Sequence, residues 1–246
     1  MRRGLLTFLL LFVTSFANAG TMVHFASTPG EGSGYLAEPV GKGKHPAIIV
    51  IQEWWGLNDW IKENADRFAK DGYVALAPDL YRGKATSDPN EAHELMRGLP
   101  EDRAMADLEG AFKYLEDRKN VDSHRIAVIG WCMGGGYALD LGIEEPKLAG
   151  IVINYGHLVT NPNTIRSIKP PILGNFGAED RGILPKDVHE FEQALTREGK
   201  VADIKIYDKA GHAFMNPSNK GGYVKEDADD AWKRIDAFLR KTLERS

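Results

Sequence analysis

The chain has one cysteine in 246 residues, Cys132, so no disulfide can form within it. It has no Cys-x-x-Cys pair and no His-Glu-x-x-His stretch, so the usual zinc patterns are missing and no metal is expected. A basic cluster is also missing. The 31 Lys and Arg are outnumbered by 35 Asp and Glu; nothing would neutralise a row of phosphates, and no nucleic-acid partner is expected. The glycine-rich stretch Gly30-Glu31-Gly32-Ser33-Gly34 precedes a strand-like segment instead of following one. It reads as a flexible turn, which excludes a phosphate or dinucleotide loop. Past the first twenty residues, no apolar run approaches the roughly 20 residues that span a bilayer.

What is present begins with a leader. Met1-Arg2-Arg3 runs into an apolar stretch from Leu5 to Val13 and ends on Ala17-Asn18-Ala19, the three parts of a secretory signal peptide. Residues 1–19 are therefore expected to be removed. Residues 20–246 would form a periplasmic or secreted protein with no stable membrane insertion. An uncleaved anchor is the alternative, but the apolar run is short for one. A lone thiol in an oxidising compartment is a liability unless it is buried or useful.

Apolar runs and helical periodicities alternate along the mature chain. Ala47–Ile51 is a continuous β-branched run, as in a strand buried on both faces. Asn58 can cap a helix reaching Lys70, and Gly72 stops it before a strand at Tyr73–Ala77. A short helix near Glu91–Gly98 and an amphipathic helix over Glu101–Arg118 follow. Strands at Arg125–Ile129, Leu148–Ile153, Pro171–Phe176 and Asp203–Tyr207 are interleaved with helices from Met133, over Pro185–Arg197 and over Tyr223–Leu243. This is the rhythm of βαβ units, predicting one α/β domain with a mostly parallel, doubly wound sheet and helices on both faces. Ligands in such folds bind beyond the carboxyl ends of the strands.

Five predicted strand ends carry candidate groups: Glu53, Asp79, Cys132, Asp180 and His212. Cys132 lies in Gly130-Trp131-Cys132-Met133-Gly134, between strand and helix, with the spacing of a nucleophile elbow that holds Cys in place of Ser. A helix starting at Met133 would aim free N–H groups at the sulfur. That favours the thiolate and makes the Met133 N–H an oxyanion-hole donor. A thiolate also needs a base and a group to orient that base. Of seven histidines, His212 and His157 follow strands on the correct side; His212 ranks first. The chain order nucleophile, acid, histidine selects Asp180 as the acid.

With those residues placed, the chain resembles the dienelactone hydrolase family. The resemblance rests on Gln52-Glu53-Trp54-Trp55-Gly56-Leu57-Asn58, Ala77-Pro78-Asp79-Leu80-Tyr81, Gly130-Trp131-Cys132-Met133-Gly134-Gly135, Asp180, and Gly211-His212-Ala213-Phe214. It implies an α/β-hydrolase fold, a Cys132–His212–Asp180 triad, control of the thiol by Glu53, and Trp54 as the second oxyanion N–H. The activity implied is carboxymethylenebutenolidase-type hydrolysis of small carboxylic esters or lactones through an acyl-thioester. No cofactor is implied, and a monomer or weak homodimer is expected.

The chain departs from that family in one respect. Members that open dienelactones hold the substrate carboxylate with arginines, one of them four residues after the catalytic histidine, where this chain has Asn216. An amide there removes the bidentate ionic contact, which puts dienelactone itself in doubt and favours a neutral ester or another lactone. Arg82 and Arg97 are the candidates to replace the missing charge; Tyr81, Trp54, Trp55, His93 and Met96 are candidate pocket walls. Two other readings compete: a non-catalytic or ligand-binding member of the fold, and redox work at the lone thiol, which lacks a resolving cysteine.

Overall fold

The computed structural model describes residues 19–243, so all of the predicted leader except Ala19 lies outside the described residues. Eight strands form one sheet: β1 (Thr21–Ala26), β2 (Glu31–Ala37), β3 (His45–Ile51), β4 (Val74–Pro78), β5 (Val121–Trp131), β6 (Gly150–Asn154), β7 (Ile172–Gly177) and β8 (Ala202–Tyr207). Their order is β1-β2-β4-β3-β5-β6-β7-β8. The pairs β1/β2 and β2/β4 are antiparallel, and every pairing from β4/β3 to β7/β8 is parallel.

Alternation along β3 explains the layers. Ala47, Ile49 and Ile51 point to one face and Ile48 and Val50 to the other, and all five are fully buried, because successive strand side chains point to opposite sides. The first face packs against α3 (Glu101–Glu116), α4 (Met133–Glu144), α5 (Pro162–Ser167) and α6 (Pro185–Arg197). The second packs against α1 (Asp59–Lys70) and α7 (Lys225–Leu243). α1 starts where the sequence placed it: the Asn58 side chain accepts from the Ile61 N–H at 3.1 Å. A further helix, α2 (Pro89–Arg97), is capped by Asp88.

The segment read as a flexible turn over Gly30–Gly34 is mostly strand. The turn ends at Gly30, where the Ser27 N–H bonds the Gly30 carbonyl at 3.0 Å, and β2 begins at Glu31. Gly32 and Gly34 are there for close packing: a Cβ would fall 2.3 Å from the Phe25 ring and 2.7 Å from the Ala77 carbonyl. Strand β5 starts earlier than its apolar core, at Val121, because Val121 pairs with His45. The short helix α5 carries little apolar periodicity and was not expected.

The carboxyl ends of β3, β5, β6, β7 and β8 are neighbours in the sheet, and the helix after β5 is pressed hard among them. A Cβ on Gly134 would lie 2.4 Å from the Gln52 carbonyl oxygen and 2.5 Å from that of Ile51, while one on Gly130 would meet the Gly134 carbonyl at 1.9 Å. The backbones would have to part to admit a methyl group. Gly134→Ala is therefore expected to lower stability by about 2 kcal/mol, read as a drop in the urea midpoint at unchanged slope.

Candidate active site

Each candidate group reaches the site from a different strand end. Cys132 follows β5 and forms the N-cap of α4 with φ 55° and ψ −121°, a conformation that costs a non-glycine residue. Its N–H bonds the Asn154 carbonyl at 3.0 Å, and its carbonyl accepts from Gly135 N–H at 3.0 Å. The backbone is thus pinned on both sides while the half-buried sulfur faces the cavity.

Asp180 follows β7. Its Oδ1 accepts from the N–H groups of Gly182 (2.8 Å) and Ile183 (3.0 Å), and its Oδ2 lies 2.7 Å from His212 Nδ1. Burial works against its charge, but the His212 bond and the two N–H groups outweigh it and lower the pKa. His212 follows β8 on a loop braced by Asn219, whose amide donates to the carbonyls of His212 (3.1 Å) and Ala213 (3.3 Å). Burial alone would deprotonate the imidazole. The hydrogen bond to Asp180, with smaller contributions from the Cys132 side chain, instead raises it to about 10.

Glu53, two residues past β3, is 1% exposed. Asn216 donates from Nδ2 to Glu53 Oε2 at 2.6 Å, while Oε1 is buried without a hydrogen-bond partner. Burial raises the carboxyl to about 7, opposed by the Asn216 amide, the charge of His212 and the Tyr155 hydroxyl.

Tyr155 is the residue the sequence reading passed over. It follows β6 with φ 41°, is fully buried, and sets its ring edge-on to His212 at 5.3 Å between centroids. Burial and the neighbouring charges of Glu53 and Cys132 hold its hydroxyl protonated. The only sequence signal was its place directly after an apolar strand, in Asn154-Tyr155-Gly156. A second feature missed was the amide chain beneath the site, in which Asn175 Nδ2 donates to Asn154 Oδ1 at 2.9 Å and Asn154 Nδ2 donates to the Gly130 carbonyl at 3.0 Å. It ties β5, β6 and β7 together just below the elbow.

These groups open into a cavity of about 1030 Å³ lined by Glu53, Cys132, His212 and Asn216. Trp54, Trp55, Leu57, Trp60 and Met96 supply its apolar surface. The other pocket candidates lie elsewhere. Arg82 is drawn away by buried Asp107, 2.7 Å from its guanidinium, and lines a separate cleft together with Tyr81. Tyr81 still reaches the elbow, donating to Met133 Sδ at 3.3 Å. His93 and Arg97 are exposed on α2, and His157 is exposed after β6; none of the three lines the cavity. Asp79 serves the backbone, accepting from Tyr81 N–H at 3.1 Å and from Gly83 N–H.

A mostly parallel eight-stranded sheet covered on both faces, with these groups at its carboxyl edge, is an α/β-hydrolase architecture. A thermostable carboxylesterase from a metagenomic library shares that fold at 15% identity and a TM-score of 0.71. A solved dienelactone hydrolase-like promiscuous phosphotriesterase from metagenomic libraries superposes with a TM-score of 0.81 at 25% identity, covering 92% of this chain and 99% of its own. Sequence relatives include a protein of Methylorubrum extorquens provisionally named carboxymethylenebutenolidase, 32% identical over 84% of this chain and 76% of that one. Protein usf of Aquifex pyrophilus is 32% identical over 91% and 99%. The profile of the dienelactone hydrolase family matches residues 33–243. The chain belongs to that family, and by class it is a carboxylic ester hydrolase.

The Glu53 carboxyl has a measurable thermodynamic signature. Its pKa rises on folding from an ordinary 4.5 to about 7, so its contribution to stability is fully present below pH 4.5 and is lost as pH climbs through 7. Relative to Glu53→Gln, the unsubstituted protein should lose about 2–3 kcal/mol between pH 5 and pH 8. Denaturant unfolding at several pH values checks this; parallel stability curves for the two proteins would contradict it.

Proposed function

We propose that the enzyme hydrolyses small carboxylic esters or lactones with Cys132 as nucleophile, His212 as acid and base, and Asp180 as the group that orients and charges His212. The observation carrying the proposal is that Cys132 and His212 line one cavity while Asp180 holds the other side of the His212 ring, 2.7 Å from Nδ1. The Cys132 sulfur forms a bond to the carbonyl carbon, and the carbonyl π pair moves to oxygen. That oxyanion is held by the N–H groups of Trp54 and Met133, the second at the positive end of α4. Collapse breaks the bond to the alkoxide, which takes the His212 proton and leaves as an alcohol. A water then gives a proton to the now neutral His212 and attacks the thioester; expulsion of sulfur regenerates the starting pair.

Glu53 controls the thiol in this proposal. Its buried carboxyl, which lines the cavity with Cys132, keeps a proton available to the sulfur at rest, which blunts oxidation. That protection matters in the exported setting that the leader implies.

Cys132→Ala and His212→Ala should each lower kcat/KM for a neutral aryl acetate by at least about 1000-fold. In quenched reactions of the unsubstituted protein, mass spectrometry should find an acyl group on the peptide containing Cys132. Wild-type rates in both variants would overturn the triad.

A further inference from the structure

We propose that Asn216 is a positioning and specificity-determining residue that commits the cavity to uncharged esters and lactones and turns away substrates with a carboxylate beside the scissile carbonyl; this rests on the hydrolase reading above. The amide is fixed at both ends. Its Oδ1 accepts from the Ser218 N–H at 2.9 Å, which leaves Nδ2 to face Glu53 Oε2 at 2.6 Å. Both residues are buried, at 3% and 1% exposure. One of the two N–H donors of that amide is thus taken by the protein's own carboxyl, and the amide carries no charge.

The rest of the wall offers no substitute. Arg82 is bound to Asp107 outside the cavity. The cationic side chains lining the cavity besides His212 are Lys62 and Lys220, with Lys220 exposed and Lys62 half-buried, and Asp59 also lines the wall. A carboxylate next to the reacting carbonyl would lose its water and find no arginine or buried lysine on the wall to pair with. A neutral acyl or alkoxy group would instead cover the apolar surface of Trp54, Trp55 and Leu57.

The test uses a matched pair: monophenyl malonate, with a carboxylate beside the scissile carbonyl, and its methyl ester. Phenol release is followed, and each rate is divided by that substrate's own hydroxide rate. The unsubstituted enzyme should favour the methyl ester by about 100-fold in kcat/KM. Asn216→Arg should shift that ratio at least tenfold toward the acid, mainly through KM for the acid. Equal or better turnover of the acid by the unsubstituted enzyme overturns the proposal even if Asn216→Arg fails to fold, as does a folded Asn216→Arg with an unmoved ratio. Loss of this inference leaves the thiol hydrolase intact as long as Cys132→Ala stays inactive on the methyl ester.

A second observation stands apart from the cavity. The Gly20 nitrogen donates to the Tyr35 hydroxyl at 2.7 Å and to Asp66 Oδ1 at 3.3 Å, and the Tyr35 hydroxyl donates in turn to Asp66 at 3.0 Å. A Cβ on Gly20 would lie 2.6 Å from both the Leu36 carbonyl oxygen and the Tyr35 ring. A carboxylate and a phenol converging on one backbone nitrogen, with no room for a side chain, form a receptor better suited to an ammonium than to an amide.

We infer that a leader peptidase hydrolyses the Ala19–Gly20 bond with water and that the freed α-ammonium of Gly20 docks on Asp66 and Tyr35. Intact-mass and N-terminal sequencing of the full chain after export should find Gly20 first; any other start, or retention of residues 1–19, overturns the cleavage. Asp66→Asn should lower Tm by about 3 °C in the chain beginning at Gly20, and by clearly less in one beginning at Asn18. Equal losses overturn the docking.

Discussion

Everything at the active edge depends on how closely the start of α4 approaches two strand ends. Gly134 lies against the carbonyls of Ile51 and Gln52, and Gly135 lies against the Asn154 carbonyl and Gly156. Those contacts bring the helix N-terminus against the exits of β3 and β6, from which Glu53 and Tyr155 emerge. Cys132, between them, must take a positive φ. The strain there is borne by the surrounding hydrogen bonds and packing, so the position of the sulfur is a property of four backbones and not of one side chain. Bulk at any of these glycines would move Cys132, Glu53 and Tyr155 together.

The two titrating groups in the cavity illustrate how one environment can assign opposite protonation to different chemistries. Burial penalises charge on both Glu53 and His212. The imidazole overcomes it because the Asp180 carboxylate lies 2.7 Å from its Nδ1. The carboxyl does not, because its direct partner is the neutral Asn216 amide and the His212 charge is a weaker influence. The result is an imidazole raised above its ordinary range beside a carboxyl raised to about 7, the separation that the proposed division between acid-base work and thiol control requires.

Much of this was legible in the sequence, for identifiable reasons. Strands buried on both faces leave continuous apolar runs, and Asn58 and Gly72 punctuate α1 through local chemistry that needs no tertiary partner. The elbow was legible because close backbone approach demands glycine at fixed spacing, and strand-end position then selected Asp180 and His212. Side-chain direction after a strand was not legible. Arg82 follows the same strand as Asp79, yet Asp107, brought in by α3, turns it out of the cavity. His93 falls on the exposed side of a helix whose buried residue is Ala92. Tyr155 has no motif; its importance comes from lying between Glu53 and His212, which are distant in the chain.

The wall of the cavity follows from the same economy. Where a cation would anchor a charged substrate, most of the binding free energy would come from one bidentate contact and little would be asked of shape. With a neutral amide in that place, the proposed recognition rests on apolar area. The chain provides it with Trp54 and Trp55 packed edge to face at 4.8 Å and with Trp60 anchored on buried Trp131 at 5.3 Å. Such surfaces bind many acyl and alkoxy shapes with similar strength, since burial is non-directional. In the proposed reading, selectivity then falls to the fixed points: the Cys132 sulfur, the backbone at the start of α4 and the hydrogen-bonded Glu53–Asn216 pair. A rigid floor under a permissive aromatic wall is the arrangement that the proposed discrimination by charge near the reacting carbonyl calls for.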